Sequence, residues 1–197
     1  MQELAEARTN VHIYHGDCNR VLVEQVFPRI RYDRFWRALC LLDPYGLQLD
    51  WEVMYRAGQM QTIDMFLNFP IMHMNRDVLL KNPEEADPSQ VKLMNRFWGD
   101  DSWREAAYES FPTLFGTVDK KASDGNDRIV EAFRERLKKV AGFGYVPKPL
   151  PMRNSKNAVV YYLFFASHKP VARDIVEGIF NKYRHKAGGD IWLQTRR

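Results

Sequence analysis

A chain of 197 residues suffices for one core of ordinary domain size and is too short for two full ones. Hydrophobic residues make up 45% and aromatic residues 13%, with only 11 Gly and 10 Pro, which excludes disordered, collagen-like and low-complexity classes. Lys and Arg outnumber Asp and Glu by 29 to 25, a net charge of +4 that permits a polyanionic partner without requiring one. The longest uncharged run, Asn157 to His168, falls well short of the roughly 20 apolar residues of a membrane span. The opening MQELAEARTN carries charges where a secretory signal is apolar, so a soluble cytoplasmic protein is expected, with Cys18 and Cys40 as free thiols.

Along the chain, Val11 to Tyr14 (VHIY) reads as a strand, the Gly16-Asp17 step as a turn, and NRVLVEQVF as a helix stopped by Pro28. Ala38 to Leu42 is apolar on both faces, which predicts a strand in the middle of a parallel sheet. Asp50 is placed to cap a helix over Trp51 to Met60, and Thr62 to Phe69 supplies a third strand. This alternation predicts an α/β layered domain with a mainly parallel sheet, spanning 1–197 as one unit. A helical insertion is expected at about 81–123, carrying Phe97, Trp98, Trp103, Tyr108 and Phe111 at helical spacing and therefore in the core. Asp119 to Asp127 (DKKASDGND) reads as a loop, and Arg128 to Val140 as an amphipathic helix with Ile129, Val130, Phe133, Leu137 and Val140 on one stripe. Gly144 to Met152 and Ala158 to Ala166 are spaced as a C-terminal β-hairpin, and a last helix runs from near Val171 to Gly188-Gly189.

If the strands are parallel, the loops at Gly16 to Asn19, Asp43 to Gly46 and Asn68 to Pro70 gather on one edge and form a crevice. Asp17 and Cys18 could read an adenine edge, the carboxylate accepting from the exocyclic amine and the next amide facing a ring nitrogen; equally, Asp17 could cap the following helix. Asp43-Pro44-Tyr45 has the residue types with which amino methyltransferases hold a planar amine, acceptor oxygens on the NH₂ and an aromatic face on the ring. The same residues also suit a plain strand-ending turn. No histidine pair has metal-ligand spacing, so no metal is assigned, and Walker, Gly-x-Gly-x-x-Gly and Gly-x-Ser-x-Gly motifs do not occur. Charges from Lys148 to Arg197 are mostly basic, which places any polyanion near the C-terminal stretch.

In order, VHIYHGDCN, ALCLLDPYGLQLDW, TIDMFLNFP, NRFWGDDSWRE and NAVVYYLFFASHKP resemble the successive motifs of the three-Cys-motif partner protein family, from about Val11 to about Lys182. The resemblance implies a Rossmann-like, class I S-adenosylmethionine-dependent methyltransferase-like fold and a radical-enzyme-like partner with a three-cysteine motif. It implies Gly16, Asp17 and Cys18 on the cofactor adenine, and Asp43, Pro44 and Tyr45 on a nucleotide or nucleic-acid amine. Family members carry two further strands ahead of the VHIY-like segment, with a Gly-rich loop for methionine and an acid for ribose. This sequence has ten residues before Val11, so an incomplete sheet is expected, with S-adenosylmethionine bound only in a complete unit and this chain inactive alone. The apolar runs Ala38 to Leu42 and Val159 to Phe165 should not stand at a solvated edge, which points to a homo-oligomer or to a heteromeric partner supplying the missing strands. The alternative is a non-catalytic scaffold that binds the three-cysteine partner or nucleic acid.

Overall fold

The computed structural model describes residues 10–114 and 116–186. The strand expected at Val11 to Tyr14 does not form; the segment is irregular, with Val11 and Ile13 exposed. Four residues with favourable propensity make no strand without a neighbour to hydrogen-bond. The first helix, α1 (Cys18–Val21), runs into a π-helical turn over Leu22–Val26 and ends in a 3-10 turn at Phe27–Arg29, where Pro28 halts it as expected.

Strand β1 (Ala38–Leu42), helix α2 (Trp51–Met60) and strand β2 (Ile63–Phe69) then form a βαβ unit, with β1 parallel to β2 and Leu42 opposite Leu67. In β2, Ile63, Met65, Leu67 and Phe69 are fully buried on one face. Asp50 occupies the cap position of α2 but makes no cap bond, because its carboxylate is drawn to Arg96 at 2.6 Å. Helix α2 packs closely: a side chain at Gly58 would stand 2.1 Å from the carbonyl oxygen of Ala141, so only glycine fits there.

Helices α3 (Ile71–Asp77), α4 (Pro88–Trp98) and α5 (Trp103–Ala107) follow. The insertion is not purely helical: Tyr108–Thr113 (β3) and Gly116–Lys121 (β4) pair as an antiparallel hairpin. Phe97, Trp98, Trp103 and Tyr108 are in the core as expected, with the indole N–H groups of Trp98 and Trp103 donating to Ser102 and Asn95. Phe111 is exposed, because β3 leaves the core after Tyr108 and none of the described residues buries its far end. The loop expected over 119–127 shrinks to 122–124, since Asp119 to Lys121 are tolerated in a solvated strand and α6 (Gly125–Lys139) already begins at Gly125. Ile129, Val130, Phe133 and Leu137 of α6 are buried, whereas Val140 lies past its end and is exposed.

Strands β5 (Leu150–Arg153) and β6 (Val159–Ala166) form the expected hairpin. The sheet order is β1-β2-β6-β5, with β6 antiparallel to β2, so the sheet is mixed rather than mainly parallel. The run Val159 to Phe165 sits inside the sheet. β1, expected in the middle, is an edge strand, with Leu39 and Leu41 57% and 70% exposed, because Val11 to Tyr14 does not pair with it. Helix α7 (Pro170–Lys186) covers the second sheet face through Val176 and Phe180 against Phe66, Phe165 and Leu150; its expected end at Gly188-Gly189 lies outside the described residues. No helix among the described residues is long and apolar enough to cross a membrane.

The ring of His168 stacks on Phe143 at 5.3 Å, and burial holds its pKa below the ordinary imidazole value. With the folded value below the unfolded one, falling pH protonates the unfolded chain first, so stability is lost from about pH 6.5 downward and levels off below the folded value. Chemical denaturation between pH 7.5 and 5 is expected to show this decline, and His168→Phe to reduce it; an equal slope in the variant would assign the decline to other groups.

Candidate functional site

Two stretches of the chain, 14–26 and 41–49, meet around a cavity of about 570 Å³, inside the usual range for small-ligand sites. Gly16 and Cys18 come from the turn into α1, Asp43, Pro44 and Tyr45 from the loop after β1, and Tyr14 closes the rim. Apolar side chains of α1 and its π turn, Val21, Leu22 and Val26, make the floor with Leu42 and Leu49. Of the three loops expected to form a crevice, those at Gly16 and Asp43 line this cavity, the first without following a strand, while Asp17 and the Asn68 to Pro70 loop are not among its lining residues. His15, which could have reached it, is exposed and does not line the cavity.

The loops are fixed from beneath. Asp17 accepts the backbone N–H of Arg20 at 3.1 Å, which is the helix-capping role. Asn19 is buried and joins the two loops, donating to the Gln48 carbonyl at 2.9 Å and accepting from the Asp50 amide at 2.8 Å. Leu47 and Leu49 anchor the far side of the Asp43 loop in the core. Gly46 adopts φ +64° directly under the His73 ring, and any side chain there would approach the imidazole to 2.7 Å. His73 is itself held, its Nδ1 facing Arg76 at 3.1 Å and its Nε2 facing Asp77 at 3.3 Å. An arginine can only donate, so Nδ1 accepts and Nε2 carries the proton toward Asp77. Arg76 grips Asp77 at two points of 2.8 Å and lowers the pKa of that carboxyl. With both ring nitrogens engaged, His73 buttresses the loop and is not a free base.

At the mouth, Asn68 donates to Asp43 at 2.7 Å. The parallel register puts them side by side, since Leu42 lies opposite Leu67 and each polar residue comes next along its strand. The other amide atom, Asn68 Oδ1, is buried and has no hydrogen-bond partner among the described residues. Tyr45 projects beside this pair, 89% exposed. The result is a carboxylate held by the Asn68 amide beside an exposed aromatic ring at one opening. Sequence reasoning singled out Asp43, Pro44 and Tyr45 but gave Asn68 and Asn19 no role of their own; a polar residue ending a buried strand was the only local sign of Asn68.

A second cavity of about 510 Å³ lies near Lys121 and the start of α6. Burial lowers the pKa of Lys121, whose ammonium donates to Asn75 at 2.6 Å, and Asp124 and Asp127 line the same space. No protein-family model, curated protein or solved structure matches this chain.

The two thiols differ in a way that reports on the first cavity. Cys18 is exposed at its rim, whereas burial pushes Cys40 up to about 11. In the folded protein at pH 8, one thiol should react quickly with an aromatic disulfide reagent and the other only on unfolding. Mass mapping is expected to find the fast label on Cys18; equal labelling of both would contradict the burial of Cys40.

Proposed function

We propose that the cavity behind Asp43 and Tyr45 takes a planar amine of nucleotide type, in a methyltransferase-like unit related to the three-Cys-motif partner family. The observation that carries this reading is the pairing of Asp43 with Asn68 beside the exposed Tyr45 ring. Asp43 accepts from the NH₂ of the target, Tyr45 stacks on its ring, and Pro44 stiffens the turn between them. Asn68 orients the carboxylate. Gly16 and Cys18 line the same cavity and suit the adenine end of S-adenosylmethionine, with Asp17 next to them. The methionine end does not fit: no cation among the described residues lines the cavity to meet its carboxylate. On this reading, methyl transfer belongs to a complete unit in which other strands seat that end, and this chain supplies the target side of the site.

Adenosine is expected to bind this chain more tightly than inosine, which has a carbonyl in place of the exocyclic amine. Asp43→Ala should erase that preference with the melting temperature unchanged. Equal affinity for the two nucleosides in the unmodified protein would sink the amine assignment, and micromolar binding of S-adenosylmethionine in calorimetry would contradict the missing methionine seat.

The exposed Leu39 and Leu41 on the unpaired edge of β1 favour a second reading: a non-catalytic module that uses this edge to hold the three-cysteine partner or a second copy of itself. Light scattering separates the cases. A homodimer fits edge pairing between copies, and a monomer that stays soluble at high concentration would remove the argument from the open edge.

A further inference from the structure

Between the 3-10 turn at Phe27–Arg29 and β1 the chain reads Arg-Ile-Arg-Tyr-Asp-Arg-Phe-Trp-Arg over residues 29–37, four arginines and three aromatic residues around one acid. Asp33 is taken by Arg31 through two hydrogen bonds of 2.6 and 3.0 Å, so the cations of Arg29, Arg34 and Arg37 are in excess. Ile30 is buried and its carbonyl accepts from Thr62 at 3.1 Å, which ties the segment to the sheet. Tyr32, Phe35 and Trp36 are 62%, 86% and 58% exposed. Phe35 holds a left-handed backbone, φ +56°, that bulky residues rarely adopt. The turn is closed by Phe35 N–H on the Tyr32 carbonyl at 3.0 Å and Trp36 N–H on the Arg31 carbonyl at 3.2 Å, so the rings are presented on a fixed support.

The patch reaches the cavity. Arg29 donates to the hydroxyl of Tyr14 at 2.9 Å, and Tyr14 lines the cavity rim. At the other end, the guanidinium of Arg37 lies 4.5 Å from the centre of the Tyr32 ring, an arrangement that also stacks beside a base.

We propose that residues 29–37 form a platform for single-stranded nucleic acid, with bases stacking on Phe35 and Trp36 and phosphates held by the arginines. Exposed rings interleaved with arginines are the surface such a strand needs, because every base has a face to stack and every nucleotide a negative charge. A second copy is the poorer occupant, since a two-fold pairing through this patch would set its excess cations against the same cations of the other copy. The expected basic stretch after Lys148 is less suited: Arg173 pairs with Asp174, and Arg184 donates to the carbonyls of Lys148 and Pro149. The platform rests on the amine-site reading only for its direction, which leads the strand toward the cavity.

The test is fluorescence anisotropy of the full chain with a labelled, mixed-sequence single-stranded RNA of about 12 nucleotides, at salt between about 50 and 200 mM. Binding should weaken with salt, and the Phe35→Ala, Trp36→Ala double variant should bind about tenfold more weakly or worse. Arg34→Ala with Arg37→Ala should reduce the slope of log K against log salt by about 0.7 for each phosphate left without its arginine. If the double aromatic variant fails to fold by circular dichroism, Phe35→Gly, which suits the left-handed backbone, takes its place. An unmodified protein that does not bind the RNA, or variants that bind it equally, would overturn the proposal. So would an aromatic variant that changes the oligomeric state in light scattering and keeps the RNA affinity, since the patch would then be a protein interface. An unmodified protein that binds the RNA with the expected salt and aromatic dependence but holds adenosine and inosine equally would count against the cavity reading alone, and an adenosine preference without strand binding against the platform alone.

Discussion

The ring of Phe133, on α6, touches five others: Trp51, Phe69, Phe97, Trp98 and Phe164, with centroids 4.7 to 6.0 Å away. Those rings come from α2, β2, α4 and β6, so one side chain joins most of the elements on that face of the sheet. Edge-on, tilted and stacked ring pairs of this kind add about 0.5–1.5 kcal/mol each beyond the area they bury. The guanidinium of Arg136, one turn along α6, lies over the Trp51 ring and bonds to the Trp98 carbonyl and to Asp100. Apolar and polar interactions thus fix the same helix in the same place.

The consequence for the site runs through β2. Phe69 is its last residue and is clamped in this cluster; Asn68, one residue earlier, faces the opposite side and meets Asp43. Alternation along a strand makes the two inseparable, because a slip of one residue would bury the amide and expel the ring. The chain continues through Pro70 into α3, which carries the His73, Arg76 and Asp77 set that supports Gly46. The core therefore positions both halves of the mouth, Asn68 directly and the Asp43 loop through the imidazole laid over it. Asn19 does the same from the side of α1. This explains why a loop containing Gly46 in a left-handed backbone and a nearly fully exposed Tyr45 can still hold one shape.

Much of this was legible from local chemistry. Pro28, Pro44 and Gly46 mark the breaks between elements, the alternating Ile63 to Phe69 run is a strand, and the stripe on α6 is plain from its spacing. What local chemistry could not carry was partnership. Ala38 to Leu42 has the composition of a central strand, but its place depends on what lies next to it, and Val11 to Tyr14 does not. Tyr108 and Phe111 fall at a helical interval that masks a hairpin whose cross-strand pairs join Glu109 to Lys120 and Ser110 to Asp119. The union of Asn68 with Asp43 rests on the register of two strands 25 residues apart. The gathering of Gly16, Cys18, Asp43, Pro44 and Tyr45 around one opening follows the loops read from the sequence, while the family resemblance and the reaction stand as a proposal.

The β3–β4 hairpin differs from the rest of the molecule in how it is held. Beyond Tyr108 its side chains are almost all exposed, and its attachments include the Tyr108 hydroxyl on the Val78 carbonyl, the ion pair of Arg128 with Glu109, the Lys121 ammonium on Asn75, and the backbone bond from Lys121 to Lys81. Little of the apolar packing that makes the sheet cooperative extends to it. Its amides should therefore exchange with solvent through local opening, at a free energy far below that of global unfolding. In evolutionary terms such a projection is free to lengthen, shorten or acquire a binding sequence at its tip, because nothing in the core or at the cavity mouth depends on what it carries.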